Sequence, residues 1–317
     1  MVERLRVAFG TGVVLGLWEG KQDVAPSAAH IMLDGMERCS ANCRFCPKAR
    51  EARGDPSMIS RVVWPEWRAE EVLERLAESG FRRICVQRVN HENSFRDALQ
   101  IVRKLSKTCD IPISVCSPPV SADKIEDLKE AGAERMCIPL DCSTPLLFAR
   151  IKGPDYTWEG HVEALVEARD VFGKATTHLI VGLGESEMEA ARTIQRMHDL
   201  GIDVGLFAFF PVIGTPMEKR PQPEIGSYRR VQVIRYLISH GLSRSEQMEF
   251  REGRAVHFGM DEEPLDEIIS SGEPFQTSGC PGCNRPFFNE SPRGPIYNYP
   301  RPPSKIELEW IKDEMWR

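Results

Sequence analysis

The sequence predicts an α/β fold: a (β/α) barrel of six parallel strands, a partial TIM barrel, with eight strands as the alternative, and an irregular C-terminal extension. Three observations predict it. Apolar runs of strand length alternate with amphipathic helical stretches from about residue 30 to residue 212. The first of these runs leads into a tight group of cysteines, at the strand end where barrels keep their chemistry. After residue 213 the alternation stops and Pro, Gly and aromatic residues take over. The expected division is an N-terminal extension over 1–29, a barrel over 30–240 and a C-terminal extension over 241–317.

HIMLDGMERC (30–39) reads as the first strand and its cysteine loop. Pro65 then opens a helix, EWRAEEVLERLAESG, that stops at Gly80. RRICVQRV (82–89) is the second strand, with a helix near Phe95–Ser106. IPISVCSPP is the third, followed by a helix from Ser121 to Ala131 that Gly132 ends. ERMCIPLD (134–141) is the fourth, with a helix over Trp158–Phe172. TTHLIVGLGE (176–185) is the fifth, and Ser186 with Glu189 forms a capping box for its helix. VGLFAFFPV (204–212) is the sixth, with a helix over Tyr228–His240. The segment SGCPGCNRPFFNESPRGPIYNYPRPP is too rich in Pro and Gly for long helices or central strands; its aromatics and CxxC favour an ordered lid.

The chain has 317 residues, 41% hydrophobic, with a net charge of -6. Such a balance supports a buried core and argues against a nucleic-acid partner held by a broadly basic surface. No apolar run reaches the ~18 residues of a membrane span, and the charged N-terminus does not resemble a signal peptide. A cytoplasmic protein with no membrane partner is expected. Ten cysteines in such a chain read as metal ligands rather than a disulfide framework.

Cys39, Cys43 and Cys46 make C-x3-C-x2-C. Three thiolates on one loop can hold three irons of a [4Fe–4S] cube and leave the fourth open. The spacing alone also admits a zinc loop or unrelated cysteines. With Phe45 directly before the third cysteine and the loop directly after the first strand, the segment resembles the radical S-adenosylmethionine superfamily. Further pieces fall in the family's order. Ile180, Gly182 and Glu185 resemble its adenosine-contacting motif, although His178 stands where that motif begins with Gly. Asp141 resembles its ribose-binding acid, and PVIGTPM (211–217) its G-T-P turn in the biotin synthase branch. The usual G-G-E after the second strand is absent, which leaves Gln87 or Asn90 for the amino-group contact.

The resemblance implies a [4Fe–4S] cluster that chelates S-adenosylmethionine and yields a 5′-deoxyadenosyl radical for hydrogen abstraction. It implies no catalytic residue beyond the cofactors, with Phe45, Gln87, Asp141, Ile180, Gly182 and Glu185 as cofactor contacts. Cys85 and Cys116 lie on strands that carry auxiliary-cluster ligands in biotin synthase. That enzyme's third such cysteine falls near Thr176 here and is missing, with Cys137 as a candidate substitute. Singly, the dispersed cysteines also read as small apolar core residues.

C-P-G-C at Cys280 and Cys283 reads as a metal knuckle that needs further ligands, from a barrel cysteine such as Cys85 or from Ser278, Asn284 or Arg285. With its tail, the chain resembles one member of the two-protein lipoyl synthases. That likeness implies sulfur insertion into a protein-bound octanoyl chain, with a second, sacrificial iron–sulfur cluster held by Cys280, Cys283 and Cys85 as the sulfur source. It implies an octanoylated lipoyl-carrier protein, a second radical S-adenosylmethionine protein and a reductant such as ferredoxin as partners. Arg285, Arg293 and Arg301 are candidate contacts for an acidic carrier. The alternatives are a biotin-synthase-like or other radical enzyme on a small molecule, and a non-catalytic zinc-binding adaptor.

Overall fold

A computed structural model describes residues 2–33, 38–91, 93–291 and 293–316. Residues 34–37, part of the first expected strand and its loop, lie outside the described residues. The chain begins with β1 (Arg4–Val7) and a short helix α1 (Phe9–Val14), then enters the barrel at β2 (Ala28–Leu33). A small hairpin of β3 (Met58–Ile59) and β4 (Val62–Val63) precedes β5 (Glu66–Arg68) and α2 (Ala69–Ala77). The units β6 (Arg83–Arg88)–α3 (Ser94–Thr108), β7 (Ile113–Cys116)–α4 (Ala122–Glu130) and β8 (Arg135–Cys137) follow. After β8 come α5 (Pro145–Lys152) and α6 (Trp158–Phe172). The last units are β9 (Ala175–Val181)–α7 (Glu187–Asp199) and β10 (Ile202–Ala208)–α8 (Ile225–Ser239).

The sheet order is β10-β9-β8-β7-β6-β2-β1-β5. The six strands from β2 to β10 pair in parallel and form the predicted partial barrel. β1 and β5 extend its edge antiparallel, so the sheet reaches eight strands without being an eight-stranded β/α barrel. The strands are almost wholly apolar on their outer faces, where the helices cover them. The capping box of Ser186 and Glu189 forms as expected, and α6 ends at Gly173, whose φ of 76° needs no Cβ.

Two expectations change. Glu66–Arg68 is a strand rather than the first turn of a helix: its backbone pairs with Arg4–Arg6, and Trp67 stacks edge-on to Trp18. The C-terminal extension is irregular only in part. It carries a hairpin, β11 (Glu249–Arg251) and β12 (Arg254–His257), and two helices, α9 (Glu262–Ser271) and α10 (Lys305–Trp316). A buried Arg230–Glu187 pair at 2.7 Å ties α8 to α7, and Arg230 also donates to the Met315 carbonyl of α10.

The irregular stretch between α9 and α10 reaches the cavity that Phe45, Cys46 and Lys48 line, through Phe288 and Asn289. It fills the seam that a six-stranded barrel leaves between its first and last strands. On the β10 side, Leu206 N–H donates to Ser278 Oγ, Arg285 to the Leu206 carbonyl and Asn289 to the Ala208 carbonyl. On the β2 side, Ser27 N–H donates to Asn284 Oδ1, Ser27 Oγ to the Gly282 carbonyl, and Phe288 packs on His30 with centroids 5.0 Å apart. Gly205 makes the approach possible, because a Cβ there would sit 3.2 Å from the Ser278 carbonyl oxygen and 3.3 Å from Gly279 Cα.

Candidate metal centre in the barrel

Cross-strand register decides which side chains face the axis. His30 aligns with Cys85, Cys85 with Ser114 and Ser114 with Arg135. One step further along, Met32 aligns with Gln87, Gln87 with Cys116, Cys116 with Cys137 and Cys137 with Thr176. These rows are two residues apart on each strand, so they share the inner face. The interior holds a cavity of about 280 Å³ that reaches from Ala28, Arg83 and Ser114 low in the barrel to Cys39, Cys43, Cys46 and Asp141 at the mouth.

At the mouth, the loop after β2 presents the three cysteines. Cys39 N–H donates to the Lys48 carbonyl (2.8 Å), Ser40 N–H to the Asn90 carbonyl (2.7 Å) and Arg44 N–H to the Ile151 carbonyl (2.8 Å). Asn90 N–H points at Cys39 Sγ from 3.3 Å. All three thiols are free and half-buried. Burial pushes Cys43 up to about 12 and Cys46 up to about 11, although Lys152 pulls Cys43 the other way. Three thiols beside one cavity, two of them raised by burial, form a donor set that a metal group completes by supplying positive charge. The residues present therefore fit a cluster.

Asp141 sits just below. Its φ of 65° lets its backbone bridge to β9, through N–H to the His178 carbonyl and its own carbonyl to Ile180 N–H, both 2.8 Å. Its carboxylate is 2.7 Å from Lys152 Nζ, which also donates to the Pro139 carbonyl. Burial works against the Lys152 ammonium, but Asp141 and Cys43 outweigh it and raise its pKa. Phe45 and Ile180 line a second, mostly apolar cavity of about 220 Å³ with Met58, Phe207, Phe210 and Phe288. Glu185 folds back to accept the N–H groups of Gly182, Leu183 and Gly184 at 2.5–3.0 Å, so it holds the turn in which Gly182 has a φ of 106°. Gln87 lies deeper, with Nε2 3.8 Å from Cys85 Sγ; Asn90 is the one beside Cys39.

Lower in the barrel the CPGC turn enters through the seam. Cys280 Sγ lies 3.8 Å from Ser114 Oγ and 3.7 Å from Thr176 Oγ1, so it occupies the fifth-strand position where the sequence lacks a cysteine. Cys283 Sγ is 3.7 Å from His30 Nε2. Burial raises Cys85 well above the usual thiol range, and the nearby thiols of Cys116, Cys280 and Cys283 add to it. The ligand atoms of Cys116, Cys137 and His178 lie within 4.8 Å of one another, with Cys137 Sγ 3.3 Å from His178 Nε2. Burial and the Arg285 charge hold both His30 and His178 down to about 3, so each imidazole is neutral and able to ligate. Five cysteines and two histidines thus converge.

Ser278, Asn284 and Arg285 are engaged elsewhere. Ser278 Oγ accepts from Leu206 N–H, Asn284 bridges Ser27 N–H and the Ala25 carbonyl, and Arg285 binds the Leu206 and Ser278 carbonyls while its guanidinium lies 3.9 Å over the Phe207 ring. Arg301 is paired to Glu307 at 2.7 Å. Arg285 is therefore held within the fold, whereas Arg293 and the Glu307-paired Arg301 are exposed. Sequence reasoning missed His30, Lys152 and the floor arginines Arg83 and Arg135. The alternation of β2 was the available signal for His30.

A parallel partial barrel with three thiols at its mouth defines an iron–sulfur enzyme of the S-adenosylmethionine-cleaving kind. The chain belongs to the radical SAM superfamily, whose family profile matches residues 34–197, just over half of it. It is 26% identical over 192 residues to the biotin synthase of Aquifex aeolicus, covering 59% of this chain and 57% of that protein. To the lipoyl synthase of Mycobacterium ulcerans it is 24% identical over 180 residues, covering 54% and 52%. The chain thus spans little more than half the length of these curated relatives. Among solved structures it is similar in fold to methylornithine synthase, with a TM-score of 0.54, 16% identity and coverage of 66% and 62%. A second is the FeFe-hydrogenase maturase HydG from Carboxydothermus hydrogenoformans, with a TM-score of 0.53, 16% identity and coverage of 67% and 52%. No helix among the described residues is long and apolar enough to cross a membrane.

Proposed function

We propose that this chain is a sulfur-insertion enzyme of the lipoyl synthase type, acting on a protein-bound octanoyl chain. The observation that carries the reading is the meeting of Cys280 and Cys283 with Cys85 in the cavity that also opens onto Cys39, Cys43 and Cys46. In this reading Cys39, Cys43 and Cys46 hold the radical-generating [4Fe–4S] cluster. Phe45, Gln87, Asp141, Ile180, Gly182 and Glu185 bind or shape the site for S-adenosylmethionine. Cys85, Cys280 and Cys283 hold an auxiliary cluster, with Cys116 the adjacent further thiol. When bound, these groups supply a radical able to take hydrogen from an unactivated C–H bond and a sulfur atom to replace it.

The chain's own residues do the positioning. Lys152 fixes the Asp141 carboxylate through one oxygen, which leaves the other free to accept ribose hydroxyls. Glu185 sets the backbone of the adenosine turn. Met58, Ile59, Val89, Phe207 and Phe288 offer an apolar wall that suits a linear alkyl chain and excludes water. An octanoylated carrier protein, a second radical SAM protein and a reductant such as ferredoxin are the matching partners.

The second reading is a biotin-synthase-like enzyme on a small molecule. It is favoured by the likeness to biotin synthases and by the placement of Cys85 and Cys116 on the second and third barrel strands. Anaerobic iron counting with Mössbauer spectra, followed by mass spectrometry of an octanoylated carrier domain, separates them. Roughly 8 irons and a thiolated carrier support the lipoyl reading. Two clusters with thiolation only of a free small molecule support the other. Roughly 4 irons and no thiolation of either overturn both.

A further inference from the structure

Neither the mouth cysteines nor Cys85, Cys280 and Cys283 account for two donor side chains in the barrel interior, Cys137 on β8 and His178 on β9. Cys116 and Cys137 stand side by side on the parallel strands β7 and β8. Cys137 pairs with Thr176 of β9, and His178 lies two residues further along that strand, on the same inner face. The ligand atoms of Cys116, Cys137 and His178 all lie within 4.8 Å of one another. The imidazole is seated on the Phe207 ring, with centroids 4.7 Å apart, and Arg285 packs on Phe207 in turn. His178 also stands where the superfamily's adenosine motif begins with Gly, so that motif does not explain an imidazole here.

The spacing of these donors suits one ion. Bond lengths of about 2.3 Å to sulfur and about 2.0–2.1 Å to nitrogen put two donors of a tetrahedral zinc ion roughly 3.5 Å apart. Cys137 Sγ and His178 Nε2 are 3.3 Å apart. The ligands of a [4Fe–4S] cube bind separate irons and stand further apart than the donors of a single ion. Charge agrees, because two thiolates cancel one divalent cation and leave a neutral centre that can be buried. Cys280 turns away to the row below, toward Ser114 and Thr176, and Cys283 toward His30. Cys116 and His178 line the central cavity, and Cys137, 2% exposed, backs them. The fourth corner of the tetrahedron therefore faces the cavity.

We propose that Cys116, Cys137 and His178 form a separate site for a single zinc ion, with an exchangeable fourth position open to the cavity. Two thiolates and one imidazole with one position left over is a donor set that zinc takes where it keeps an exchangeable ligand. Thiolates also select zinc over hard cations such as magnesium or calcium. The fourth position takes a water or a thiolate, in the same cavity that the three mouth cysteines line. The site goes beyond the sulfur-insertion reading and does not rest on it. It draws no ligand from Cys85, Cys280 or Cys283, and it gives Cys116 a donor set of its own.

The test titrates Zn2+ into the anaerobic holoenzyme with its iron–sulfur clusters in place. Zinc and iron are counted by plasma mass spectrometry, and the zinc surroundings are read by X-ray absorption at the zinc edge, which iron does not obscure. About one zinc per chain is expected, bound to two sulfurs and an imidazole nitrogen. Cys137→Ser and His178→Gln should each raise the zinc Kd by more than the roughly tenfold that loss of an outer-shell partner costs, with iron content and thermal midpoint as in wild type. The two variants are read independently, so that one failing to fold leaves the other to decide. Cys280→Ala, outside the donor set, should keep its zinc. No zinc retained by wild type, or zinc binding unchanged in the folded variants, overturns the site. Zinc lost from Cys280→Ala assigns the ion to the second cluster's donors and overturns a separate site. So does a fall of iron rather than zinc in His178→Gln, which puts the imidazole on a cluster. All three results leave the sulfur-insertion reading standing.

Discussion

The two thiol groups of this barrel are built in opposite ways. The mouth group comes from one loop, in which Cys39, Cys43 and Cys46 are held by hydrogen bonds within that loop and to its immediate neighbours. The inner group comes from β2, β6, β7, β8 and β9 together with a turn near the C-terminal end of the chain. A local loop keeps its ligands together whatever else moves. The inner group has Cys280 and Cys283 only while the tail is seated in the seam, so its full donor set depends on tertiary structure.

Substitutions should therefore separate the two. The largest effect is expected at the mouth: Ala at Cys39, Cys43 and Cys46 together should take reductive S-adenosylmethionine cleavage to the no-enzyme level. Product assay after reduction checks this, and turnover above background would remove the loop from the radical site. Next, Cys280→Ala should lose about half of the roughly 8 irons expected for two [4Fe–4S] clusters and stop sulfur transfer, while cleavage of S-adenosylmethionine continues. Loss of both activities in that variant would mean that the two groups are not separable.

The third expectation concerns how the tail is held. Glu290 is buried, accepts one hydrogen bond from Asn298 N–H, and leaves Oε2 without a hydrogen-bond partner. Burial raises it to about 7 from 4.5. A carboxyl with a raised folded pKa favours the folded state fully below 4.5, and that contribution is lost as pH rises through about 7. The size is on the order of 3 kcal/mol. Glu290→Gln should flatten the fall in thermal midpoint between pH 5 and 8, whereas an unchanged slope would assign it to other groups. The smallest effect is expected at the ribose site. Asp141→Ala should weaken S-adenosylmethionine binding by about 1–3 kcal/mol, read from equilibrium titration, with the inner iron retained.

The same contrast governs what the sequence disclosed. The mouth cysteines were legible because their spacing is written in one short segment, and the six barrel strands because each carries its own apolar run. β5 was not legible: Pro65 and the spacing of Val72 and Leu76 announce a helix, and only pairing with β1 holds Glu66–Arg68 extended. The seat of the tail was not legible either. Nothing local to C-P-G-C says that Gly205 leaves a gap for it, or that Cys280 reaches Thr176. His30 reads as an ordinary strand residue until Cys283 stands opposite it, and Lys152 lies on α5, a helix that the sequence did not announce.

The seam also imposes an order in time. β10 ends at Ala208, yet the segment that seals its free edge begins at Ser278. At a synthesis rate of ~5–20 residues per second, all six barrel strands leave the ribosome about 4–14 seconds before the piece that closes them. During that interval the nascent barrel is open along one side. That later segment is the one that decides when the interior stops exchanging with its surroundings.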